Sequence, residues 1–133
     1  MAFDFGESRI GVAVGNTLLK IPHPLQTISG KNKFDKFAKI GKLIDEWRPT
    51  QLVVGMPGNS GNKELLIQSI NRFSNRLIHN FKLPVLFINE DFTSQVAERQ
   101  LKEQSVYGKA HKSKIDTLAA AGILQAFFDE LKD

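Results

Sequence analysis

At 133 residues the chain is one domain in size, long enough for a real hydrophobic core, and its 41% apolar and 24% charged residues are ordinary for a globular protein. It has no run of about eighteen apolar residues and no charged-then-apolar leader, so neither a membrane span nor secretion is expected. The absence of cysteine excludes disulfides and thiolate metal sites and fits a reducing cytoplasm, while a net charge of +4 and a pI near 9.4 favour a polyanionic partner such as nucleic acid.

The first element is a β-hairpin: residues 1–5 and 10–14 are short apolar runs around a turn on Gly6, Glu7 and Ser8. Asp4 stands inside the first run, where Val or Ile would pack better. Aspartate is depleted from strands, and a buried unpaired carboxylate costs several kcal/mol or takes up a proton. Either a cation compensates it, a metal or a basic side chain, or it caps the hairpin turn through neighbouring N–H groups.

After a turn over residues 16–20, segment 25–28 alternates, and Pro22 and Pro24 mark it as an edge strand. Asn32 is placed as a helix cap with Asp35 three residues on, and Phe34, Phe37, Ala38, Gly41, Ile44 and Trp47 recur at helical spacing as a core stripe that Pro49 closes. Six lysines between Lys20 and Lys42 face Asp35 alone, a basic run that is either a solvated face or a phosphate-binding one. Residues 51–56 form a continuous apolar run, the pattern of a strand covered on both faces, and lead into the polar loop 57–62.

From Lys63 to about His79, Leu66, Ile70, Phe73 and Leu77 mark one face of a second helix. Residues 85–90 again read as a buried strand, one that runs into acids. Thr93 or Ser94 caps a helix reaching Gln104, with Val96, Ala97 and Leu101 inward. Residues 105–112, with a second acid-free cluster of Lys109, His111, Lys112 and Lys114 at its end, read as a loop. A final helix over 113–131 has Ile115, Leu118, Ala119, Gly122, Ile123, Ala126 and Phe127 as its apolar side. Three strands followed by alternating helices and strands predict an α/β domain on a mixed sheet.

In open α/β sheets, sites form at the carboxyl ends of parallel strands. Glu90 follows such a strand, Asp4 lies on the opening one, and Asp116 falls in the first turn of the last predicted helix, where the dipole favours a carboxylate. Three acids offering only oxygen ligands suit Mg²⁺ or Mn²⁺ rather than zinc. Two such ions about 3.5–4 Å apart activate a water and stabilise the leaving oxygen of a phosphodiester. Plainer readings stand beside this one: Ser113–Asp116 fits a capping box, and Glu90 fits a strand-end charge. Lys112 and Lys114 at a helix start oppose the dipole, which points to a ligand such as phosphate. Arg9 either holds a phosphate or pairs with Glu7. His23, His79 and His111 lack metal-ligand spacing, and no Ser and His residues have the logic of a triad.

Four motifs together carry a resemblance: Asp4-Phe-Gly-Glu-Ser-Arg-Ile-Gly-Val-Ala-Val-Gly15, Leu52-Val-Val-Gly-Met-Pro57 with Asn59, Asn89-Glu-Asp-Phe-Thr-Ser94, and Lys112-Ser-Lys-Ile-Asp116 with Ala119-Ala120. In order and spacing, over nearly the whole chain, they resemble the YqgF (RuvX) family, the pre-16S rRNA nucleases also described as Holliday junction resolvases. The first motif alone also resembles the phosphate-binding hairpin of actin-like ATPases and sugar kinases. The family resemblance implies a single RNase H-like nuclease domain, with a five-stranded mixed sheet of order 3-2-1-4-5, strand 2 antiparallel, flanked by helices. It also implies a divalent-metal endonuclease trimming the 5′ end of 16S rRNA in a bacterial cytoplasm.

By motif position Asp4, Glu90 and Asp116 correspond to the family's acidic triad. The expectation is that Asp4 bridges two Mg²⁺ or Mn²⁺ ions, Glu90 and Asp116 complete their coordination, and Arg9, Lys112, Lys114 and Asn59 contact the substrate. The chain departs from the family pattern at Asn89 and Asp91, where Asp and Arg are usual, so a basic contact is lost and Asp91 becomes a further candidate ligand. The loop after Pro57 also departs, reading Gly58-Asn-Ser-Gly-Asn62. Rival readings are a four-way DNA junction resolvase, a nucleotide-binding ATPase module, and a non-catalytic RNA-binding ribosome-assembly factor. Symmetric cutting of a junction calls for a homodimer, whereas RNA trimming needs only a monomer. An ATPase of this kind normally clasps its nucleotide between two such domains, and the chain supplies one.

Overall fold

A computed structural model describes residues 1–58, 63–89 and 109–131, with the backbone alone for 109–113. Its strands are β1 (Ala2–Phe5), β2 (Arg9–Val14), β3 (His23–Ser29), β4 (Leu52–Met56) and β5 (Val85–Asn89); its helices are α1 (Lys33–Trp47), α2 (Glu64–Phe81) and α3 (Lys109–Glu130). The strands form one sheet in the order β3-β2-β1-β4-β5. β2 is antiparallel to β1 and β3, while β1, β4 and β5 run parallel. This is the topology expected from the resemblance, with β3 at one edge and a register irregularity between Val12 and Ala13 opposite Pro24.

Alternation along the strands sorts the core into two unlike halves. Phe3, Ile10, Val12, Ile28, Leu52 and Val54 pack with Ile40 and Leu43 of α1 and Ile70, Phe73 and Leu77 of α2. On the other face Ala2, Ala13, Val53 and Ile88 pack with Ala120, Ile123, Leu124, Phe127 and Phe128 of α3. Small side chains on this second face let α3 lie close to the strands. Its apolar side is wider than expected, since Ala120, Ala121, Leu124 and Phe128 are buried as well.

α1 begins as predicted, with the Asn32 side chain accepting from the Asp35 N–H at 3.0 Å. Its stripe is shifted, because Ile40 and Leu43 are the buried residues while Phe34 is 75% and Trp47 46% exposed. At about 100° per residue Phe34 sits about 120° around the helix from Ile40. Trp47 lies on the inner face by the same count, but it is the last residue of α1, next to the left-handed Arg48 cap, and the helix end leaves it half exposed. α2 buries Ile70, Phe73 and Leu77, with Leu66 partly buried, in line with its periodicity.

β5 is the edge strand among the described residues, with Ile88 buried and Leu86 and Phe87 exposed, so the two-sided burial read from its apolar run does not hold there. The chain is already helical at Lys109, so residues 109–112 of the predicted loop belong to α3. Ala and Lys are strong helix formers, and no Gly or Pro lies between Gly108 and Ala121 to break the start of the helix. The predicted helix from Thr93 or Ser94 to Gln104 lies outside the described residues. No helix among the described residues is long and apolar enough to cross a membrane.

Among the described residues one polar atom of the core is orphaned: the Ser74 hydroxyl, on a side chain 2% exposed in α2, has no hydrogen-bond partner there. Desolvating it without a partner is unfavourable, and alanine is the better helix former. Ser74→Ala is therefore expected to raise unfolding stability by about 1 kcal/mol, read as a higher urea midpoint at unchanged slope.

Candidate active site

Asp4 reaches its position by parity. Phe3 and Phe5 turn towards α1 and α2, so Asp4 turns with Ala2 towards α3. Directly across the antiparallel pair from Asp4 is Gly11. A Cβ built on Gly11 would lie 2.0 Å from the Asp116 carbonyl oxygen and 2.4 Å from its carbonyl carbon. The backbone of α3 thus rests on β2 where β2 has no side chain, and that contact delivers Asp116 to Asp4. The mid-strand glycine was the available sequence signal, because glycine inside a strand marks a close approach of another backbone.

Asp4, Arg9 and Asp116 line one pocket of about 250 Å³ together with the hairpin turn from Phe5 to Ser8. The turn is tight, a Cβ at Gly6 being 2.7 Å from the Arg9 carbonyl oxygen, and Lys36 of α1 tethers it by donating to the Glu7 carbonyl. Arg9 does not pair with Glu7. Its Nε donates to Asp116 Oδ2 at 2.7 Å, an ion pair whose side chains are 39% and 16% exposed. Among the described residues the ionisable lining is Asp4, Glu7 and Asp116 together with Arg9.

Two of the three predicted acids are brought together. β5 ends at Asn89, level with Met56 at the carboxyl ends of the parallel strands, and Glu90 follows it outside the described residues, as do Asp91 and Asn59. Among the described residues no group of three acids or histidines could hold a metal ion. Lys112 is in α3 with its side chain undescribed, and Lys114 is exposed and does not line the pocket.

The capping-box and helix-dipole readings of Asp116 are both corrected. With α3 helical from Lys109, Asp116 lies nearly two turns inside it, where no terminal N–H is left to satisfy; Lys112 stands at the end of the first turn and Lys114 lies beyond it. What holds Asp116 in charged company is Arg9 and the pocket.

The sequence model of the RuvX family, described as Holliday junction resolvase, matches residues 1–130. A protein of Chromobacterium violaceum named "Putative pre-16S rRNA nuclease" is 48% identical over 132 residues, covering 98% of this chain and 96% of the relative. Proteins of the same name from Neisseria meningitidis and Methylobacillus flagellatus are 45% identical, covering 97% and 98% of this chain and 86% and 90% of their own lengths.

Gly11→Ala should test the docking contact. The clash is with backbone, so α3 must move away from β2, at a cost of about 3 kcal/mol or more. The expected result is a lower denaturant midpoint, and in the folded fraction loss of the Arg9–Asp116 contact, visible as changed amide shifts around residues 9 and 116.

Proposed function

The chain belongs to the RuvX family, and on that premise we propose that it is a divalent-metal-dependent nuclease that hydrolyses RNA phosphodiester bonds, maturing the 5′ end of a 16S rRNA precursor. The observation that carries this reading is the convergence of Asp4, from the first strand, with Asp116, from the last helix, in one pocket at the carboxyl ends of the parallel strands, where Glu7 and Arg9 are the other ionisable residues described. A phosphodiester is itself an anion, and such a pocket repels it unless cations intervene. The donor set is oxygen only and hard, which fits Mg²⁺ or Mn²⁺. Asp4 and Asp116 would hold the ions, with Glu90 as the third ligand. Bound there, two divalent ions supply water activation and charge stabilisation at the leaving oxygen.

The protein's own groups do the positioning. Arg9, half-exposed on the rim and already bonded to Asp116, keeps that carboxylate oriented and presents its remaining donors to a phosphate oxygen. Lys112, Lys114 and Asn59 contact the RNA backbone on either side. The relatives' names favour RNA as substrate. The family's description favours a second reading, hydrolysis of four-way DNA junctions, which requires a homodimer. A non-catalytic ribosome-assembly role would show binding without turnover.

The test incubates purified protein with 16S precursor RNA and with a four-way DNA junction, each with Mg²⁺, Mn²⁺ or chelator. Cutting of RNA that needs metal is expected. Asp4→Asn and Asp116→Asn should each lower it by more than the roughly 100-fold that loss of even an outer-shell partner can cost. RNA binding should stay intact or tighten in both, since a negative charge is removed. Wild-type cutting rates in Asp4→Asn would overturn the assignment, and cutting of the junction alone would select the second reading.

A further inference from the structure

Across the end of β1 from the acidic pocket lies a second cleft, of about 220 Å³. Phe5 lines both, because alternation turns Asp4 towards α3 and Phe5 towards α1 and α2. The floor of the cleft is aromatic. The partly buried rings of Phe5 and Phe37 stand 5.0 and 5.6 Å, centroid to centroid, from the buried ring of Phe73. Its rim is basic, with Lys33 at the start of α1 and Arg72 and Arg76 one turn apart on α2.

No carboxylate among the described residues pairs with any of these three cations. Arg72 reaches only the Ser69 hydroxyl, at 3.2 Å, and Lys33 lies 5.7 Å from the ring of Phe34. The neighbouring lysines are occupied, Lys36 on the Glu7 carbonyl and Lys39 on the Ser29 carbonyl at 2.5 Å. Like charges on consecutive turns of a helix destabilise it slightly, so this group of cations brings the fold no stability of its own.

Aromatic rings for stacking beside guanidinium groups for phosphates are what an unpaired polynucleotide strand requires. At about 220 Å³ the cleft is smaller than the roughly 300–1,000 Å³ of sites that enclose a whole small molecule, which suits one base of a longer chain. A duplex keeps its bases stacked inside, and an acidic peptide would satisfy the cations but leave the rings unused. We propose that this cleft binds an unpaired nucleotide of the RNA strand, flanking the phosphodiester held at Asp4 and Asp116. This rests on the RNA-hydrolase reading above and adds to it a preference for a single-stranded flank.

The test compares Asp4→Asn protein, so that nothing is cut, with the same protein carrying Arg72→Glu and Arg76→Glu. Each is titrated by fluorescence anisotropy, across a salt series, with a single-stranded oligoribonucleotide, its duplex, and an abasic oligomer of equal length. Loss of two phosphate contacts on a single strand should reduce the log–log salt slope by about 1.4 and raise Kd by about tenfold or more. The abasic oligomer and the duplex should bind the parent more weakly and lose less in the variant. An unchanged Kd and slope for the single strand overturns the proposal, and so does an equal loss for based and abasic oligomers.

Both arginines are on the surface side of α2, and an Arg72→Gln, Arg76→Gln pair with an unchanged thermal midpoint guards against misfolding as the cause. If RNA cutting depends on Asp4 while the cleft variants bind normally, the cleft proposal fails and the nuclease reading stands. If the cleft variants lose single-strand binding while wild type never cuts RNA, the nuclease reading fails and an RNA-binding cleft remains.

Discussion

The structure depends on a backbone-to-backbone contact: the carbonyl of Asp116 resting on β2 at Gly11, where any side chain would intrude. Helix and sheet ordinarily keep a layer of side chains between them. Here the layer is thinned to Ala2, Gly11 and Ala13 along the strands and to Ala119 and Ala120 on the helix. The closeness has a chemical result, since it brings a carboxylate near the C-terminus of the chain to one near its start. It also has a cost, because two acids in one pocket repel each other, and Arg9 at 2.7 Å from Asp116 offsets part of that repulsion.

The opposite face of the sheet is built on the opposite rule. Phe3, Phe5, Phe37, Phe73 and Phe81 form a chain of ring contacts between β1, α1 and α2, and bulky aliphatics fill the rest. Large side chains hold the helices away from the strands and leave a gap between the start of α1 and α2, lined by Phe5, Phe37 and Phe73. The two faces therefore present unlike surfaces at the same strand end, an acidic pocket on one side and an aromatic, basic cleft on the other.

How far the residues alone could be read varies along the chain, and the reasons are physical. Asp4 was conspicuous because a carboxylate in an apolar run contradicts strand chemistry, and the α2 stripe was legible because Leu66, Ile70, Phe73 and Leu77 keep helical spacing over four turns. Phe34 and Trp47 misled because hydrophobicity registers what a residue prefers, not which face of the helix it lands on or how near the helix end it stands. Both readings of Asp116 as a helix-start residue fail, the dipole one that favoured a site and the capping box that stood against it. A Ser three residues ahead of an acid imitates a cap, and only the earlier start of α3 shows that no helix end is there.

By itself the sequence determined the types of most of the described elements, the presence of an out-of-place acid and, through four spaced motifs, the family and its sheet order, because periodicity and motif spacing are local properties carried along the chain. Tertiary structure alone decided that Arg9 binds Asp116 rather than Glu7, that Gly11 is where helix and sheet touch, and that Lys33, Arg72 and Arg76 gather around three phenylalanines. Those are facts about residues far apart in the chain, and no pattern of neighbours encodes a distance that only the packing of the whole sheet sets.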